Sequence, residues 1–290
     1  MRKFIISVSI ILIIPAAVYA GFNFGAIKAV KKTVDKLDEK VIRKKAAVGG
    51  EWLLVPGNPS LGTNDFYVMK YEAKNVGGVA TSQANVTPWG NIDHPSAVAA
   101  CAALGAGSHL LTIAETQTIN RNIEAQTANW ANGIIGSLVS AGGGLKRGNV
   151  GITDSASYNG ADPEFGAGRD AKAKLVLSNG GEIWDWSGNV LEWIYGAGAN
   201  GTLGTPDGVT FDTGGYYEWS NASLNEERPI LGPSNSSWTA DYGVGRYYGG
   251  NNAVFRGGDW VNGTYAGVFA FDAYYAPSLV YTLLGFRCGR

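Results

Sequence analysis

The sequence predicts an α+β protein whose elements are short and joined by long, irregular loops. Three observations predict it. Glycine occupies 42 of 290 positions, about twice the ~7% of ordinary globular chains, and its freedom at positive φ serves turns better than long helices. Aromatic residues are plentiful, with 9 Trp and 14 Tyr, side chains that both fill small cores and bind ligands. Strand and helix signals alternate along the chain, but past residue 50 each is brief.

The N-terminus reads as an export signal and a stalk. Arg2 and Lys3 precede an apolar run over residues 4–18, and Val18, Tyr19 and Ala20 put small residues where a signal peptidase reads. Residues 1–20 are therefore expected to be a secretory signal; an uncleaved membrane anchor interrupted by Pro15 is the alternative. No cysteine follows the cleavage site, so no lipoprotein anchor is indicated. The chain is expected to be exported, at the cell surface, in a periplasm or secreted. Over 27–45, Ile27, Val30, Val34, Leu37 and Val41 recur at spacings of three and four and predict an amphipathic helix. Residues 21–50 thus form a basic helical stalk, eight basic side chains against three acidic over 21–45. Two heptads are too few for a stable coiled coil on propensity alone. The stalk is read as solvated, with membrane association on anionic lipid, or pairing with a second copy, as the alternatives.

From the whole-chain charge of -1, the stalk's +5 and the +2 of Arg2 and Lys3 leave -8 on residues 46–290. An acidic, aromatic-rich body argues against nucleic acid as a partner, because phosphates call for a basic face.

The body is expected over 51–290, opened by Gly49 and Gly50 and by the turn residues Pro56, Gly57, Asn58 and Pro59. Residues 66–72 are aromatic and β-branched enough for a strand. Pro95 opens a helix that runs to Leu104 and stops at Gly105, with Ala97, Ala100, Cys101 and Leu104 on one face. Thr112 and Glu115 form a capping box for a second helix, whose buried stripe continues through Ile119, Ile123 and Trp130. Residues 131–170 read as loop, and 174–177 as a short strand.

Residues 181–193 carry the densest chemistry. Asp185 and Glu192 flank a glycine turn there, a layout that suits a hard cation such as Ca²⁺ and suits equally well pairing with arginines or capping of the turn. The two histidines, His94 and His109, are too far apart to suggest a zinc or iron site and read as surface or helix-end residues. Cys101 and Cys288 are the sole cysteines; in an exported chain they can bridge, the alternative being two separate buried thiols.

The C-terminal segment is organised differently. A frame of Arg256, Gly257, Gly258, Trp260, Gly263, Gly267, Pro277, Gly285, Phe286, Arg287 and Cys288 is interrupted by Asp, Val, Tyr and Leu that follow no secondary-structure period. Such a segment is suited to holding a surface.

Several stretches together resemble the formylglycine-generating enzyme (sulfatase-modifying factor) family, a variant of the C-type lectin fold. They are FYVMKYEAKN at 66–75, the helix with Cys101 followed by HLLTIAE at 109–115, WDWSGNVLEW at 184–193, FRGGDW at 255–260 and GFRCGR at 285–290. The resemblance implies an irregular, loop-rich C-type lectin-like body and a disulfide between Cys101 and Cys288. It also implies a structural Ca²⁺ held by the side chains of Asp185 and Glu192 and the carbonyls of Gly188 and Val190. The enzymes use a cysteine pair after their RGG motif, whereas residues 259–265 here read DWVNGTY. A thiolate is the nucleophile and soft-metal ligand, so neither copper nor formylglycine formation is expected.

Within that family the last segment, about 253–290, is similar to the variable region of diversity-generating retroelement target proteins. Their element randomises template adenines, so Asn codons of the type AAC or AAT yield a restricted set that includes Tyr, Asp, Val and Leu. The interrupting positions are Asp259, Val261, Tyr265, Asp272, Tyr274, Tyr275, Leu279, Val280, Tyr281 and Leu283, and none is a residue this route excludes, such as Lys, Glu, Gln, Met or Trp. Asn262 fits a template Asn left unchanged. The expected function is non-catalytic binding of a variable protein or cell-surface ligand by these side chains, tyrosine offering large contact area with few torsions to freeze. The alternatives are an enzyme of the wider family with a different chemistry, a structural surface or fibre-tip protein, and tyrosines that merely fill a core.

Overall fold

The structure, a computed structural model, describes residues 49–84, 86–150, 172–196, 215–225, 227–250 and 252–290. Contacts divide the chain into two units, Met1–Ala47 and Val48–Arg290. The expected signal and stalk helix, and residues 151–170 of the expected loop, lie outside the described residues. Among the described residues no helix is long and apolar enough to cross a membrane.

The body is α+β, with strands of four residues or fewer. One sheet contains β1 (Trp52–Val55), β2 (Phe66–Met69), β14 (Cys288–Gly289) and β5 (His109–Leu110), in that order. A second has the order β13 (Leu284–Phe286), β8 (Leu191–Ile194), β11 (Val254–Arg256), β12 (Phe271–Asp272), β10 (Tyr247–Tyr248) and β9 (Tyr216–Tyr217). Two hairpins complete it, β3 (Ala73–Val76) with β4 (Val79–Ser82), and β6 (Lys174–Val176) with β7 (Glu182–Trp184). The last residues are thus not a tail: β13 lies parallel to β8, and β14 is inserted between β2 and β5.

The helices start where the sequence places them. Asp93 caps α1 (His94–Ala102) through Ser96 N–H, with Pro95 in the first turn. Thr112 and Glu115 close the expected capping box on α2 (Ile113–Glu124), and α3 is a single turn over Glu227–Leu231. Ala97 and Cys101 of α1 and Ile119 and Ile123 of α2 are buried. Trp130 is buried too, but beyond the end of α2: it bridges to Leu145, donates its indole N–H to the Glu124 carbonyl and packs edge-on to Trp238. His94 is buried at the start of α1, against the Ile194 carbonyl and edge-on to Trp193, rather than on the surface. The expected strand over 66–72 stops at Met69, and Glu72 beyond it is buried.

Cys101 of α1 and Cys288 of β14 form a disulfide, their Cα atoms 5.4 Å apart, which disposes of the alternative of two separate thiols. The bridge passes through a core of Met69, Leu110, Trp193, Phe255, Leu284 and Phe286; a larger core includes Trp130, Trp186, Trp219, Tyr247 and Phe269.

Candidate ligand-binding site

The site rests on a buried ion cluster. Glu192 of β8 lies opposite Arg256 of β11 in register, and Arg287 enters from the link between β13 and β14. Arg256 donates to Glu192 Oε2 at 2.5 Å and to the Trp186 carbonyl at 2.6 Å, its guanidinium 3.2 Å from the centre of the Trp186 ring. Arg287 donates to Glu192 Oε1 at 2.8 Å and to the carbonyls of Met69, Lys70 and Trp184. All three side chains are 2% exposed or less. Burial pushes the Arg256 guanidinium down to about 10, opposed by the Glu192 carboxylate.

This arrangement bears on the expected role of Glu192 as a Ca²⁺ ligand. Asp185, Gly188, Val190 and Glu192 do come together around one turn, with Asp185, Gly188 and Asn189 at positive φ. Glu192 does not fit the role of a Ca²⁺ ligand, because both its oxygens already accept from guanidinium groups, and a cation beside it would sit next to two positive charges. The turn is held by other means: Asn189 Nδ2 and Val190 N–H donate to the buried Glu72 carboxylate, and Gly188 N–H donates to the Gly257 carbonyl. Among the described residues no group of three or more His, Cys, Asp or Glu is placed to hold a metal.

Above the cluster opens a cleft of about 510 Å³, within the size range of ligand sites. Eight of the eleven side chains expected to vary line it: Asp259, Val261, Asn262, Tyr265, Asp272, Tyr275, Leu279 and Tyr281. Two more, Tyr274 and Val280, do not line the cleft but are exposed, at 49% and 54%. Leu283 differs from the rest: it does not line the cleft, it is 6% exposed, and its carbonyl accepts from Leu191 N–H. The alternative that the tyrosines fill a core also fails, since Tyr265, Tyr274, Tyr275 and Tyr281 are each at least 40% exposed.

The frame residues make the cleft's shape. Gly258 has φ +77, and a Cβ there would fall 2.5 Å from the Cβ of Ala266, so only glycine lets the backbone reverse that carries 259–265 to the mouth. At Gly267 a Cβ would meet the Gly245 nitrogen at 2.3 Å. Asp259 then closes a turn, its carboxylate accepting from Val261 N–H at 2.9 Å while Asn262 Oδ1 accepts from Asp259 N–H.

Two wall residues were missed from the sequence. Tyr216 and Tyr248 stack with ring centres 4.3 Å apart, and contacts to Tyr265 at 4.7 Å, and through Tyr274 at 5.0 Å to Tyr275 at 5.2 Å, extend them into a continuous aromatic wall. The signal was the Tyr-Tyr doublets at 216–217 and 247–248. In a strand, neighbours face opposite ways: Tyr247 is fully buried while Tyr248 lines the cleft, and Tyr217 packs on the core while Tyr216 is 58% exposed.

The charged groups of the cleft divide into those with an ion-pair partner and those without. Arg256 is held by Glu192; Arg246 is paired with Glu218 and lies 4.5 Å over the Tyr265 ring. Asp259 and Asp272, by contrast, join no ion pair among the described residues, and burial pushes their carboxyls up to about 6 and about 7. Burial, reinforced by the Asp272 charge, also pushes the Tyr216 hydroxyl up to about 12.

No protein-family model matches the chain, and no curated protein matches it. Among solved structures it is similar to variable protein 1 of Treponema denticola, with a TM-score of 0.40 and 14% identity over 81% of this chain and 90% of that one. It is similar also to a P3c variant of the Major Tropism Determinant, with a TM-score of 0.33 and 15% identity over 77% of this chain and 50% of that one. A third likeness is to PvdO from Pseudomonas aeruginosa, with a TM-score of 0.37 and 13% identity over 82% of this chain and 90% of that one. With scores this low, the functional reading rests on the chain's own geometry.

Proposed function

We propose that this chain is a non-catalytic, exported ligand-binding protein with a C-type lectin-like body of the formylglycine-generating-enzyme type. Its segment 253–290 is diversified by adenine-directed retroelement mutagenesis, and the cleft is the variable binding site. The observation that carries the reading is how the segment segregates. The frame residues 256–258 and 285–288 are buried, whereas the interrupting residues, Leu283 excepted, line the cleft or are exposed beside it. A buried frame fixes the backbone, so side chains at the mouth can change without disturbing the core. Catalysis of the thiol-oxidase kind is disfavoured because both cysteines are consumed by the disulfide.

The binding half is tested by selecting a random peptide library on the full chain and counter-screening on the double variant Tyr265→Ala/Tyr275→Ala. Peptides that bind the full chain and lose binding to the variant are expected; a selection that yields none refutes the cleft as a binding site. The diversification half is tested in the DNA beside the gene. A near-copy of the segment with Asn codons at the variable positions, next to a reverse transcriptase, is expected, and differences at bases other than adenine refute it.

A further inference from the structure

The cleft's chemistry narrows what it takes. Asp259 is 3% exposed and Asp272 half-buried, and both face the same space. One oxygen of each accepts a backbone N–H, from Val261 and Tyr274, both at 2.9 Å. A backbone N–H does not replace a counter-charge, and a carboxylate withdrawn from water without one is costly. The cleft's own cations are not available to them, being committed to Glu218 and Glu192. An anionic ligand would add to the unbalanced charge.

Beside the carboxyls stands the tyrosine wall, and ring faces attract cations, guanidinium above all because it is planar and weakly hydrated. The molecule already places a guanidinium on this wall, that of Arg246 over Tyr265. Around the mouth Val261, Tyr274 and Val280 are about half exposed, at 48%, 49% and 54%, and provide contact area that a free amine would leave uncovered.

We propose that the cleft, with the side chains it carries in this chain, receives a basic side chain of a protein partner. Arginine is preferred to lysine, its charge lying against Asp259 and Asp272 and its plane against the tyrosine rings. This rests on the ligand-binding reading above.

The test uses the cleft-dependent peptides from the library selection on the full chain. They are expected to be enriched in Arg, and replacing that Arg by citrulline, its neutral isostere, should weaken binding by about tenfold or more, Lys costing less than citrulline. The variant Asp259→Asn/Asp272→Asn keeps an oxygen to accept each backbone N–H and should bind the Arg and citrulline peptides equally. Cleft-dependent peptides without basic residues, or equal binding of the two peptides by the unaltered chain, overturn the inference while leaving the ligand-binding reading intact. Absence of any cleft-dependent peptide defeats that reading itself, and this inference with it. N-acetylarginine methylamide binding as tightly as the peptides would overturn the protein partner in favour of a small cation.

Discussion

Replacing Glu192 by Gln removes one charge and almost no volume, and its cost follows from the cluster. Arg256 and Arg287 would be left at 2% and 0% exposure with no carboxylate between them, and the Arg287 charge already lowers the preference of Arg256 for its charged form. Breaking a buried pair in this way costs about 3–5 kcal/mol, a large part of the roughly 5–15 kcal/mol that holds a typical domain folded. At about 2–4 °C per kcal/mol for a chain of this size, Tm should fall by roughly 6–20 °C. The assay is a thermal melt of the full chain followed by circular dichroism, run with EDTA and again with excess Ca²⁺. Unaltered protein should melt at the same temperature in both. A Glu192→Gln variant within about 2 °C of the unaltered chain would refute the ion-cluster argument. Stabilisation of the unaltered chain by Ca²⁺ would return Glu192 to the role of metal ligand.

The disulfide closes a separation of 187 residues, for which chain entropy gives about 5 kcal/mol; urea unfolding with and without reductant should reveal a loss of that order. Leu283→Ala should cost about 2–5 kcal/mol as a core truncation, whereas Tyr281→Ala should change stability by less than about 0.5 kcal/mol. Equal effects in urea titrations would contradict the assignment of one to the packing and the other to the surface. Asp259 and Asp272 hold their protons to about 6 and about 7 when folded, against about 4 when unfolded. The folded state therefore binds more protons between those values, and the contribution of these groups to stability falls as pH rises across about 4 to 7. Asp259→Asn/Asp272→Asn should accordingly gain on the unaltered chain between about pH 5 and about pH 8, and a pH-independent difference would refute the burial argument.

Local signals were legible in the sequence where the physics is local. Thr112 and Glu115 are three residues apart and form their capping box through each other, so nothing distant could alter that reading. The division of the last segment into frame and filling was legible too, because glycines that admit no Cβ, such as Gly258 and Gly267, cannot vary with their neighbours. Three features that local pattern does not show arise from distant closure. Glu192 reads as a carboxylate free for a cation until Arg256 and Arg287, 64 and 95 residues beyond it, are found donating to it. Leu283 shares its composition with its exposed neighbours and is buried because the next residue begins β13 beside β8. Tyr216 and Tyr248 enter the wall through the pairing of β9 with β10, in a stretch with few strand signals of its own.

The shared carboxylate ties both ends of the last segment to one point. Arg256 precedes the segment's cleft-lining side chains and Arg287 follows them, yet both close on Glu192, and Cys288 is bonded to Cys101 one residue later. A chain that stops early, or shifts frame, anywhere between these arginines loses the second clasp and the bridge together. It should fail to fold rather than present a defective surface, so the stability of the body acts as a proofreader that passes only reading frames kept open through Cys288.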